Sequence, residues 1–302
     1  MSDLVALLTD PLASGFMQRG LLAGVIVALV CGVMGSFVVL KGLAFIGDAV
    51  SHAAFPGLVI AYVLGVPLYL GGSVAAVATA LAIAWVSRRG GLRFDTAVGV
   101  LFAGMFALGV LLFTTIEGYA GDLLGYLVGN VLFITAEDLV QLAVLAMIVL
   151  AVVLLLRKEL LYATFDPGGA QASGLPVARL EYLLLGLLGV TIVVSIQAVG
   201  IILVVAMLVT PAATAQLLVV RFSRLLSLAA ALAVASSVIG LYLSFYLDVA
   251  SGAAIVLVET VAFGLAMALG PRTGLIHRVR QSRVVPDAES RSGSGIVGAR
   301  VP

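Results

Sequence analysis

An acid and a histidine stand four residues apart in an otherwise apolar run, Gly47-Asp-Ala-Val-Ser-His-Ala-Ala-Phe-Pro-Gly57. On a helix that spacing brings both side chains onto one face, where Asp48 and His52 can meet a single cation. A charge at the centre of a bilayer costs about 2.5–3.5 kcal/mol even on the mildest insertion scale, so such residues mark ion or substrate paths. Carboxylate oxygen with imidazole nitrogen suits Mn²⁺, Fe²⁺ or Zn²⁺. Two ligands are too few for a closed structural site. They fit a transit position, which must also release its ion. Histidine ligates a metal only as the neutral ring, so acid is expected to weaken metal passage. A second reading stays open: an Asp48–His52 hydrogen bond that fixes a helix bend at Pro56. Ser51, beside the pair, is either a pathway hydroxyl or, more ordinarily, a helix–helix hydrogen-bonder.

Two further places interrupt apolar runs. Glu259 stands in Val-Leu-Val-Glu-Thr-Val-Ala-Phe. It reads as a proton relay or metal contact, or as a carboxyl buried between helices with no part in transport. In Thr210-Pro211-Ala-Ala-Thr214 the proline frees a backbone carbonyl. That carbonyl either lines a cavity or simply accompanies a kink. The single cysteine, Cys31, excludes a disulfide framework and a cysteine metal cluster. No GxxxxGK[ST] occurs, so the chain does not bind ATP through a P-loop of its own.

The elements that must hold these residues are membrane helices. The chain has 302 residues, 63% hydrophobic and 10% charged, against roughly 25% charged in a soluble domain. Mean hydropathy is +1.25. This composition predicts an all-α, polytopic membrane bundle in a lipid bilayer, and the net charge of +1 gives no reason to expect nucleic acid. Apolar segments near the roughly 20 residues a span needs lie at 17–40, 52–66, 69–87, 95–115, 137–157, 180–197, 200–220, 225–246 and 252–270. The second is short, and the sixth and seventh almost touch, so eight or nine transmembrane helices are expected. Asp3 and Asp10 stand where a signal peptide would be basic, so 17–40 is expected to remain as a span.

Basic residues orient the chain. Lys41, then Arg88, Arg89 and Arg93, then Arg157, Lys158 and Arg179, then Arg221 and Arg224, then Arg272 to Arg283 alternate with gaps that lack them. Nine spans with an outer N-terminus and a cytoplasmic C-terminus fit this order. The outer loop 116–136 is expected to carry a short interfacial or re-entrant helix in its apolar 122–130 stretch. In the cytoplasmic loop 158–179, Asp166-Pro167 starts a short surface helix of about eight residues, and Gly174 with Pro176 stops it. The Ser-, Gly- and charge-rich residues 281–302 read as a disordered cytoplasmic tail.

Several segments together resemble the permease subunit of the manganese/zinc/iron ABC importers. They are Gly35-Ser-Phe-Val-Val-Leu, the 47–57 motif, Asp95-Thr-Ala-Val-Gly-Val-Leu-Phe-Ala103, Asp122 to Asn130, Ala172-Ser-Gly-Leu-Pro176, Gln197 to Ala215 with its Thr-Pro-Ala-Ala-Thr-Ala, and Ser251-Gly-Ala-Ala-Ile-Val. The resemblance implies a permease domain over 1–280 in a bacterial cell (inner) membrane, working as a homodimer with the path between the copies. It implies two ATP-binding cassette subunits on the cytoplasmic face, which hydrolyse the ATP, and an extracytoplasmic metal-binding protein that delivers the ion. Such a chain is a transport subunit and not an enzyme, with no permanently bound cofactor. Asp48 and His52 map to the metal path. The 165–177 stretch maps to the ATPase contact, with Phe165, Asp166, Ala170, Ala172, Gly174, Leu175 and Pro176 as its residues. Ala250 stands where the family often has proline, and Glu259 matches no family position. Two other functions compete: an ion-coupled secondary metal transporter using Asp48, His52 and Glu259, and an ABC permease for a metal chelate or vitamin.

Overall fold

The computed structural model of the chain describes residues 9–116 and 134–270. The stretch 122–130 and the tail 281–302 lie outside the described residues. Among those described, the chain is helical throughout: α1 Gly15–Leu40, α2 Ala44–Ala53, α3 Phe55–Leu64, α4 Leu68–Gly90, α5 Phe94–Phe113, α6 Ala136–Leu155, α7 Arg157–Phe165, α8 Pro167–Ala172, α9 Val177–Val199, α10 Ile201–Leu218, α11 Phe222–Leu247 and α12 Ser251–Leu269. Among the described residues, eight spans are long and apolar enough to cross a membrane: α1, α2 with α3, α4, α5, α6, α9, α11 and α12. A ninth, shorter apolar stretch, Leu203–Leu218, lies within α10.

The second span differs from the sequence reading. It runs from Ala44 to Leu64, not from 52 to 66, so Asp48 and His52 lie inside it. The break between α2 and α3 at Ala54 has a local cause. Pro56 lacks the N–H that would reach the His52 carbonyl one turn back. The loop 158–179 also differs. Arg157–Phe165 is helical, separated from α6 by Leu156 alone. The expected short helix follows as α8, six residues long, with the Asp166 side chain accepting from the Gly169 N–H at 2.8 Å. Gly174 takes φ +84° just past it, a left-handed conformation that only glycine adopts cheaply.

The central helix is α1. Val27, Ala28, Cys31, Met34 and Phe37 are fully enclosed, and α6, α9, α10 and α11 pack around them. A second layer, α3, α4 and α5, continues from α9, and α12 closes the other side against α10 and α11. Close helix approach rests on glycine at two crossings. A Cβ on Gly35 would strike the Leu208 carbonyl oxygen of α10, and one on Gly57 would strike the Gly71 carbonyl of α4. In hydrocarbon, where apolar burial cannot distinguish a neighbour from lipid, such contacts carry helix association.

Candidate functional site

α2 begins on a glycine joint. Lys41 caps α1, Gly42 holds φ +68°, and Leu43 precedes the first residue of α2. Asp48 and His52 then lie one turn apart, with Asp48 Oδ1 3.5 Å from His52 Nε2. The Asp48 side chain is 52% exposed and that of His52 34%. Their neighbours on the same helix turn inward: Ile46, Ala49, Val50 and Ala53 are buried. The imidazole is held edge-on between two rings of α5, 5.7 Å from Phe102 and 5.6 Å from Phe106. Phe106 in turn lies 6.3 Å from Phe55, which lies 5.9 Å from Phe113. The phenyl rings orient the imidazole and make no hydrogen bond to it, so Nε2 stays turned to the carboxylate. The pair thus presents an oxygen and a nitrogen side by side on an open face.

The other candidates fall elsewhere. Ser51 is buried and donates to the Gly47 carbonyl of its own helix at 2.6 Å, so its hydroxyl neither bridges to another helix nor faces outward. Pro211 lies inside α10, which continues through it. Thr210 accepts, through its carbonyl, the hydroxyl of Thr214 at 2.7 Å. Glu259 is 2% exposed on α12, and neither carboxylate oxygen has a hydrogen-bond partner among the described residues. It forms no ion pair or hydrogen bond with Asp48 or His52.

At the end of the bundle where Lys41 and Arg88 lie, α7 and α8 fold over α9. Ala170 is wholly buried there. Phe165, Asp166, Ala172, Gly174 and Pro176 are exposed and Leu175 is half-buried. The Tyr162 and Ser173 hydroxyls, 3.3 Å apart, join α7 to the end of α8. One residue escaped the sequence reading. Glu181, in the second turn of α9, receives a 2.6 Å hydrogen bond from Arg88 Nη1 and lies 3.9 Å from Lys41 Nζ. Its local signal was only an acid at the membrane edge beside Arg179.

Eight spans among the described residues, with the buried α1 at their centre and a carboxylate–imidazole pair open on the face of another, define a multi-pass membrane permease. The ABC 3 transport family matches residues 13–270, and the chain belongs to that family. It is 44% identical over 278 residues to the manganese transport system membrane protein MntC of Halalkalibacterium halodurans, covering 92% of this chain and 95% of that one. It is 40% identical over 267 residues to the chelated iron transport system membrane protein YfeD of Yersinia pestis, covering 88% and 90%. Among solved structures, PsaBC from Streptococcus pneumoniae in complex with Fab superposes with a TM-score of 0.80 at 31% identity, covering 91% of this chain and 99% of that one. The chain is therefore a metal-transport permease, a transport subunit and not a catalytic one.

Proposed function

We propose that the chain lines the metal path of an ATP-driven importer of Mn²⁺, with Fe²⁺ as the next candidate, in a bacterial inner membrane. It works as a homodimer whose two Asp48–His52 pairs face each other. One observation carries this reading: Asp48 is a carboxylate half open to the outside of the chain one turn inside the second span, with His52 one turn deeper. Facing lipid, such a charge is costly. Facing a second copy, it becomes half of a site. Two carboxylates and two imidazoles then surround the ion, and the two negative charges offset those of a dication. Manganese comes first because the 44% identical relative carries it in its name. Zn²⁺ suits the same ligands and is third.

An extracytoplasmic binding protein hands the ion to the pair. Two ATP-binding cassette subunits dock on α7 and α8 and supply the ATP hydrolysis. The exposed Phe165, Ala172 and Gly174, beside Leu175 and Pro176, form the contact surface. The buried Ala170 seats α8 on the bundle and Asp166 caps it. In this reading the buried Ser51, Glu259 and Pro211 and the half-buried Thr210 are assigned no contact with the ion. The test is uptake of radiolabelled Mn²⁺, Fe²⁺ and Zn²⁺ by vesicles carrying permease, ATPase and binding protein. Manganese is expected to enter only with ATP inside the ATPase compartment. Uptake by the permease alone, driven by an ion gradient, would refute the proposal and favour a secondary carrier.

A further inference from the structure

We propose that Glu181 is a positioning residue that ties the ATPase-facing helix α8 to the helix bearing Asp48 and His52. The inference rests on the permease reading above and adds to it the element that transmits motion.

The connection begins at α8. The Leu175 N–H donates to the Ala170 carbonyl at 3.0 Å and the Val177 N–H to the Leu175 carbonyl at 2.9 Å, so α8 runs into α9 through a braced turn. The Leu180 N–H is bonded to the Pro176 carbonyl at 3.1 Å. Glu181 therefore moves with α8 as one piece. Its carboxylate reaches two other helices with separate oxygens: Oε2 takes the 2.6 Å hydrogen bond from Arg88, in the last turn of α4, and Oε1 faces Lys41, the C-cap of α1. Both cations sit at helix C-termini, where positive charge is favoured. One carboxylate thus joins three helix ends.

Two of those ends lead to the metal pair. Lys41 is followed at once by Gly42, and α2 starts two residues later. A Cβ on Gly42 would meet nothing within 4 Å, so space does not demand glycine there. Its φ of +68° does. The joint lets α2 swing relative to α1, and Lys41 is its handle. Arg88 ends α4, which packs against both α2 and α3. A displacement of α8 is carried by Glu181 to both the root and the flank of the helix that holds Asp48 and His52.

The test uses the full complex in proteoliposomes, with Mn²⁺ as the probe and Glu181→Gln, Lys41→Gln and the double variant. Glu181→Gln keeps the shape and removes the charge. It is expected to lower Mn²⁺ carried per ATP by about fivefold or more, the low end of coupling between distant sites, with assembly and basal ATP hydrolysis unchanged. The double variant should be no worse than the more severe single one, because the two residues act through one contact. A second readout is independent of transport. Phe45, exposed near the start of α2, is replaced by cysteine; the native Cys31 is buried and silent. Nucleotide should change the maleimide labelling rate of Phe45→Cys, and Glu181→Gln should abolish that change. A parental complex that carries no Mn²⁺ but shows the nucleotide response, with Glu181→Gln abolishing that response, supports the tie and refutes the transport reading. A Glu181→Gln complex with parental coupling and a parental labelling response overturns the tie. So does failure of both Glu181→Gln and Glu181→Asp to assemble, which would make the residue purely structural.

Discussion

Replacing Asp48 by asparagine separates the two readings of the pair, because it keeps the side chain's size and removes only its charge. The carboxylate is half exposed, so screening close to that of water is the conservative limit. Two unit charges 4 Å apart then attract by about 1 kcal/mol, and a dication raises this to about 2 kcal/mol. With about 1.4 kcal/mol per factor of ten, Asp48→Asn should weaken Mn²⁺ binding at least roughly thirtyfold. The same change should barely touch folding. Asp48 and His52 lie 3.5 Å apart and are both partly open, and a pair of this kind contributes only about 0–1 kcal/mol. The assay is titration of purified permease with Mn²⁺, following the free ion by its paramagnetic resonance signal, beside thermal unfolding of the same sample. Affinity is expected to collapse while the melting temperature stays within a few degrees. Parental affinity in a folded Asp48→Asn protein would refute the ion-path argument. A large fall in melting temperature with affinity retained would establish the bend-fixing alternative.

Packing and coupling give further tests. Gly57→Ala should lower stability by about 1–3 kcal/mol, the usual cost of overfilling, because its Cβ strikes the Gly71 carbonyl. Gly104→Ala, with open space at that position, is the control and should melt no lower than the parent; equal melting of both variants would refute the crossing. Asp166→Ala should remove the cap of α8 at a cost of about 0.5–2 kcal/mol, read as faster amide exchange over 167–172 with the rest of the bundle unchanged. Ala172→Cys should label from the cytoplasmic side alone; labelling from outside would invert the topology. Ala172→Trp should uncouple ATP hydrolysis from uptake in an assembled complex, and full coupling would remove α8 from the ATPase contact. It is a cleaner probe than Gly174, whose φ of +84° strains any replacement.

The spans were legible wherever apolar residues run unbroken, as in α1, α6 and α11. The second span was misread by eight residues at its start, and the cause is the site itself. Gly47, Asp48, Ser51 and His52 lower the local hydropathy, so the stretch that carries the proposed Asp48–His52 site also hides where the span begins. Their chemistry was nonetheless readable, because four-residue spacing in an apolar run is a local signal. α7 was hidden for a different reason. Its opening Arg157-Lys158-Glu159 looks like the start of a loop, and only the packing of Leu160 and Ala163 onto the bundle shows it to be a helix. A six-residue helix such as α8 is too short to show a period, so the inward turn of Ala170 had no signature either.

Glu181 marks the limit of that kind of reading. Its partners Lys41 and Arg88 are contributed by two other helices, and their own sequence context announces only a membrane edge. The alternation of basic residues says on which side each helix end lies; it does not say which ends touch. That the ends of α1, α4 and α9 meet on one carboxylate is a property of the fold. It gives a physical reason for the charges to be grouped there beyond orientation. An acid facing two cations at helix ends is held from two directions, so it can pull on both. With only one of the two cations, either α2 or α4 would be free of the helix that follows the proposed ATPase contact.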